Sequence, residues 1–246
     1  MRTATLVSVL GGLVCLSAFG VRSPGQEPGS LGGVQSFGFS TTYSPNSSHI
    51  LLGDAERRRV WTLGVEYTRL LHQGPRFRVE YEGSVMPLYE ETDPTLIGTA
   101  FTLNGQTIST TVPAERVTHV NNAPISTVLI GSGPPIPVYA VFGRQDSHAA
   151  AISPLGLRIN AMPRWRVQPG FAVDLGFVVS PGDIPVDQSD QFNYMFALGP
   201  GIEFFKDRKT SWRFEYLYRH VSNAGQGVQN PGLDQGVIRV TVSVHR

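Results

Sequence analysis

Thr210-Ser211-Trp212-Arg213-Phe214-Glu215-Tyr216-Leu217-Tyr218-Arg219-His220-Val221 is the stretch that decides the fold. On an extended strand successive side chains face opposite sides. Trp212, Phe214, Tyr216 and Tyr218 therefore share one face, and Arg213, Glu215 and Arg219 share the other. An aromatic row set against a charged row fits a wall with lipid outside and a polar interior, as in a membrane-spanning β-barrel. A soluble, lipocalin-like barrel with the two faces reversed is the alternative.

Neighbouring segments repeat the alternation. Phe77, Val79, Tyr81 and Val85 oppose Arg78, Glu80, Glu82 and Ser84, and Trp61, Leu63, Val65 and Tyr67 oppose Thr62, Glu66 and Thr68. Asp174 stands between Val173 and Leu175. The interior then holds acids and bases that pair and fill a narrow barrel. Eight segments are expected, near 34–45, 57–71, 75–89, 152–163, 167–180, 191–205, 210–221 and 235–245. Several run to ten or more residues, long for a soluble sheet and suited to tilted strands that cross a bilayer.

Connection lengths alternate. His72-Gln73-Gly74, residues 163–167 and residues 206–209 are short, whereas 45–57, 90–151, 181–190 and 223–234 are long. Short periplasmic turns and long extracellular loops have this arrangement. The fold class expected is all-β, an eight-stranded antiparallel transmembrane β-barrel. Within 90–151, a Thr-rich stretch and Val138-Tyr139-Ala140-Val141-Phe142 leave room for another hairpin and thus ten strands.

Arg2 followed by the uncharged stretch 4–19 reads as a secretory signal peptide over about residues 1–22, leaving 23–246 as one barrel domain with a long extracellular loop at about 90–151. Cys15 is the only cysteine and leaves with that leader, so the mature chain has no disulfide or thiolate chemistry. Gly12-Leu13-Val14 before it is a poor lipidation box. A net charge of +1 and a single short basic run, Arg57-Arg58-Arg59, give no reason to expect nucleic acid as a partner. No apolar stretch after the leader approaches the roughly 20 residues of a membrane helix.

His220-Val221-Ser222-Asn223-Ala224 ends the deciding segment, and Asn230-Pro231-Gly232-Leu233-Asp234 opens the last one. His220 and Ser222 share the aromatic face, so both are expected to look outward at the extracellular end of the strand. Asp234 lies on the outward face of a strand that should pair antiparallel with theirs, which returns it beside His220. Ester hydrolysis by a serine requires a nearby base and a third group that orients the imidazole. Ser222, His220 and Asp234 are candidates for those catalytic roles. The other reading is an interfacial histidine with Ser222 and Asn223 capping the loop, because Asn-Pro-Gly is ordinary turn chemistry.

His220-Val221-Ser222-Asn223-Ala224 followed by Asn230-Pro231-Gly232 resembles the C-terminal signature of the lipid A 3-O-deacylase (PagL) family. Ser153-Pro154-Leu155-Gly156-Leu157-Arg158 and the region from Phe192-Asn193-Tyr194 through Gly201-Ile202-Glu203-Phe204-Phe205 resemble stretches of similar barrels. The resemblance is strongest over roughly 150–246. It implies an eight-stranded outer-membrane barrel that removes the ester-linked 3-hydroxyacyl chain at position 3 of lipid A. By the same resemblance Ser222 is the nucleophile, His220 the general base and Asp234 the orienting acid, while Asn223 supports the oxyanion and Asn230 shapes the loop. Best-known members carry Glu where this chain has Asp234. The implied partner is lipid A or lipopolysaccharide, and a homodimer is compatible with such a barrel.

The remaining histidines, His49, His72, His119, His148 and His245, read as solvated or locally bonded groups without metal-site spacing. Asp146-Ser147-His148 contains triad residue types, but adjacent residues do not align as a triad. Gly25 to Gly33 and Gly131-Ser132-Gly133 lack the helix and acid of a nucleotide site. No cofactor and no metal are implied. Two rivals stand beside the esterase: a non-catalytic adhesin or envelope-structural barrel using the long loop, and a small-solute channel.

Overall fold

The computed structural model describes residues 31–246; the expected leader with Cys15 lies outside the described residues. Ten strands follow in order: β1 (Gln35–Ser44), β2 (Arg59–Gln73), β3 (Phe77–Leu103), β4 (Gln106–Arg116), β5 (Ser126–Val128), β6 (Ile136–Ala161), β7 (Val167–Ile184), β8 (Asp190–Phe205), β9 (Thr210–Ser222) and β10 (Leu233–His245). Eight of them form an antiparallel ring, β1-β2-β3-β6-β7-β8-β9-β10, which β10 closes on β1. Closure leaves no strand edge unpaired around the wall.

Alternation sorts the side chains as the sequence predicts. Phe39, Leu63, Leu175, Phe214 and Tyr216 are exposed on the outside, while Glu66, Glu82, Arg158, Arg213, Glu215 and Arg239 are buried within. Apolar outside and charged inside is the inverse of a soluble barrel, and defines a transmembrane one. The buried charges are paired. Glu215 bridges Arg158 at 2.6 Å, Arg213 at 3.2 Å and Arg239 at 2.5 Å. Arg239 also reaches Asp174 at 2.9 Å and Glu82 at 3.1 Å, Arg158 meets Glu82, and Arg213 meets Glu66. A cavity of about 30 Å³ beside this network holds no more than a water or two.

Towards the extracellular end the interior turns apolar. Val60, Met86, Tyr89, Val178, Met195, Val221 and Leu233 pack together there. Above them Arg58 is buried against Asp93 at 3.1 Å and Glu91 at 3.5 Å, and its Nη2 donates to the carbonyls of Val117 and Pro185. Arg116 fastens the neighbouring segments by its ion pair with Asp187 at 2.7 Å.

The largest correction concerns residues 90–151, expected as a loop. β3 and β6 continue their pairing through bulges as far as Ala100 and Tyr139. The barrel wall thus rises into a two-stranded extension, flanked by β4 on β3 and β5 on β6. A bulge between Leu96 and Gly98 lets the ladder continue, and Pro94 stays in register opposite Arg144. The extra strands broaden the extension and do not enter the ring, so the barrel has eight strands. β7 likewise runs past 180, to Ile184, shortening the connection predicted at 181–190.

Candidate active site

β9 stops at Ser222 because the next residues form a tight turn. Asn223 Oδ1 accepts the Gly225 N–H at 2.9 Å, and Ala224 and Gly225 both take positive φ. The Asn223 side-chain amide donates to the Gln229 carbonyl at 2.8 Å, and the Asn223 N–H donates to Asn230 Oδ1 at 3.2 Å. These bonds bring the chain back to begin β10 at Leu233. Antiparallel register then sets Asp234 opposite His220 and Leu233 opposite Val221.

The result is an imidazole–carboxylate pair, with His220 Nδ1 2.6 Å from Asp234 Oδ1. Tyr218, two residues before His220 on the same face, donates its hydroxyl to the same oxygen at 2.7 Å. Asp234 Oδ2 accepts three consecutive backbone N–H groups, Ile50 at 3.3 Å, Leu51 at 2.6 Å and Leu52 at 2.8 Å. Every partner of the carboxylate is a donor, which suits an ionised acceptor-only group. A carboxylate at Nδ1 assigns the ring proton to that nitrogen and leaves the Nε2 lone pair to act as a base. Nε2 makes no hydrogen bond among the described residues.

The first extracellular loop is laced to this site. Its Asp54 and Ala55 N–H groups donate to the carbonyls of Pro231 and Gly232, at 2.6 and 3.0 Å. Two glycines permit the close approach. A Cβ on Gly53 would lie 2.5 Å from the Asp234 nitrogen. One on Gly232, at φ +62°, would lie 3.0 Å from His220 Cε1. Beneath this cover, and beside the Phe196 ring at 5.4 Å, His220 is only 8% exposed. It lies on the outward face as expected, but shielded where an open lipid-facing position was expected.

Ser222 is half-buried opposite Tyr194, on the same face as His220 and one side-chain position further along. Among the described residues it has no direct hydrogen bond to His220. That spacing, about 6.6 Å between Cα atoms on a strand, lets a serine hydroxyl reach Nε2 by side-chain rotation, and such contacts often tighten only with substrate. The structure thus joins Asp234 to His220, sets Ser222 next along, and holds Asn223 and Asn230 within the loop. Sequence reasoning missed Tyr218, Gly53, Gly232 and the amides of residues 50–52. Parity alone could have flagged Tyr218.

Elsewhere, His49 and His119 approach Asp54 on the surface at 3.8 and 3.5 Å, and His148 lies exposed on β6 where a loop was expected. His245, read as solvated or locally bonded, is buried and bonds Ser211 Oγ at 2.7 Å. No group of residues that could hold a metal ion occurs among the described residues.

Fold and site together define an outer-membrane β-barrel with a shielded His–Asp pair on its lipid-side wall. Residues 157–243 match the family model described as Lipid A 3-O-deacylase (PagL), so the resemblance read from the sequence extends from β6 to β10. Among solved structures, the outer membrane enzyme PagL is similar at 10% identity, covering 85% of this chain and 99% of that one, with a TM-score of 0.48. OprG from Pseudomonas aeruginosa is similar at 11% identity, covering 89% and 98%, with a TM-score of 0.44. The COG4313 outer membrane channel from Pseudomonas putida F1 gives 8% identity and a TM-score of 0.25, covering 90% and 99%. A search of curated proteins found no match.

Proposed function

We propose that the barrel is an esterase of the outer leaflet that removes an ester-linked 3-hydroxyacyl chain from lipid A. The observation that carries this reading is the His220–Asp234 pair, held at 2.6 Å on the outer wall with Ser222 beside it. His220 Nε2 takes the Ser222 proton as Oγ attacks the ester carbonyl. The tetrahedral intermediate collapses, the sugar hydroxyl leaves with that proton, and the acyl group stays on Ser222. Water, deprotonated by the same imidazole, then releases the hydroxy fatty acid and restores Ser222. Asp234 stabilises the imidazolium in both halves. The match of residues 157–243 to the deacylase family supports the choice of substrate.

Asn223 and Asn230 support the site by shaping the 223–232 loop. Service of the Asn223 amide as an oxyanion donor requires it to leave the Gln229 carbonyl when substrate binds. One observation favours a second reading, a non-catalytic adhesin or envelope-structural barrel: the extension of β3 and β6 with β4 and β5 offers a broad extracellular surface. The discriminating experiment is Ser222→Ala in a folded barrel. Hydrolysis of lipid A should stop, and a variant as active as wild type would remove Ser222 from the mechanism.

A further inference from the structure

Ile50-Leu51-Leu52 form three consecutive apolar residues at the tip of the first extracellular loop, and their exposures are 44, 66 and 62%. Water is a poor surrounding for such a run. Their backbone is anchored, since all three N–H groups bind Asp234 Oδ2 on the outer wall. The side chains are therefore carried beside the catalytic pair and cannot fold into the barrel.

The opposite flank of the site is apolar too. Phe177, Phe192 and Tyr194 form a ring cluster with centroids 5.2 to 5.7 Å apart, and Tyr194 stands opposite Ser222 in the β8–β9 ladder. On β7 and β8 the outward apolar row continues beyond the level of Ser222 to the Val179–Phe192 pair. His220 and Ser222 thus lie below the top of the lipid-facing wall, between an aromatic bank and the Ile50-Leu51-Leu52 tip. Exposed His49 and Asp54 bracket the tip, giving the loop an apolar point and polar shoulders, as suits an element set into a lipid surface.

We propose that Ile50-Leu51-Leu52 is a lipid-seated positioning clasp: its side chains enter the acyl layer and hold a substrate acyl chain against Phe196 and Tyr194, while its amides fix Asp234. This rests on the esterase reading for its catalytic half only. The tip then selects substrates by their acyl chain, and the orienting acid is set by the same loop that meets the lipid.

The test has two readouts. In a Cys15→Ala background, Leu51→Cys carrying an environment-sensitive fluorophore is folded into vesicles containing lipids with nitroxide-bearing acyl chains. Blue-shifted emission quenched by those chains and protected from iodide supports the clasp; water-like emission quenched by iodide overturns it. In parallel, Leu51→Ser/Leu52→Ser should raise KM for a membrane-borne long-chain glycolipid about tenfold or more, from loss of apolar contact, with a much smaller change in kcat. Leu51→Met/Leu52→Met should restore KM. If kcat falls as far as KM rises and the methionine pair gives no rescue, the loop is only structural and the proposal fails. A lipid-buried probe on a wild-type barrel that hydrolyses no glycolipid would retain the lipid seat and sink the esterase reading.

Discussion

Asp234→Asn replaces one carboxylate oxygen by an NH2 group with almost no change of shape. In the wild type, Oδ1 accepts His220 Nδ1–H at 2.6 Å and the Tyr218 hydroxyl at 2.7 Å, while Oδ2 accepts the Ile50, Leu51 and Leu52 amides. An asparagine cannot satisfy both sides. If its oxygen stays with His220, the NH2 group faces the loop amides, leaving two or three donors without an acceptor. At about 1–3 kcal/mol per unsatisfied group, the cost is roughly 2–9 kcal/mol, towards the lower end because these bonds are only part-buried, and enough to lift the loop from the wall. If the amide flips, NH2 donates to Nδ1, the ring proton moves to Nε2, and His220 loses its capacity as a base. Either outcome removes the productive arrangement, and the turnover lost should be about 10³- to 10⁴-fold.

The assay is deacylation by purified, refolded barrel, with heat-modifiable gel migration confirming the fold. The charge network of the lumen does not involve Asp234, so the barrel should still form. Asp234→Glu keeps the charge but lengthens the side chain by one methylene within a tightly fitted nest, and should retain more activity than the asparagine variant. An asparagine variant within about fivefold of wild type would refute the claim that Asp234 orients the base.

Gly232→Ala should reduce activity by about 10- to 100-fold in the same assay, because the new methyl meets His220 Cε1 and misplaces the ring. The left-handed backbone at that position adds about 1–2 kcal/mol of local strain. In the lumen, Glu215→Ala leaves Arg158, Arg213 and Arg239 short of a shared anion, and should destabilise the barrel by about 3–5 kcal/mol. A urea unfolding midpoint unchanged from wild type would contradict that accounting.

The barrel was legible in the sequence because lipid and lumen impose opposite chemistries on a two-residue period. Trp212 to Tyr218 against Arg213 to Arg219 displays it directly, and the same parity placed His220, Ser222 and Asp234 on the outer wall. The row is least regular where the interior becomes apolar, at Leu217 and Val221, which face inward among Val237 and Leu233. Above the membrane no lipid enforces an apolar outer face, although Glu91, Asp93 and Thr95 still point inward and are buried; Thr92 to Leu103 therefore read as loop although they are paired strand. The cover over His220 was hidden for another reason. Backbone amides of residues 50–52 perform that task, and an amide leaves no trace in residue identity. The reading of Asn223 as an oxyanion group also met a competing local demand, because its amide is spent on holding the Gln229 carbonyl.

The most direct test of the central claim is mass spectrometry of lipid A from cells that express the wild-type barrel, His220→Ala or Ser222→Ala, with folding checked for each. Loss of the mass of one hydroxyacyl group with wild type, and intact lipid A with both variants, is the predicted result. Unaltered lipid A beside a folded wild-type barrel, or deacylation that survives either substitution, would contradict the account.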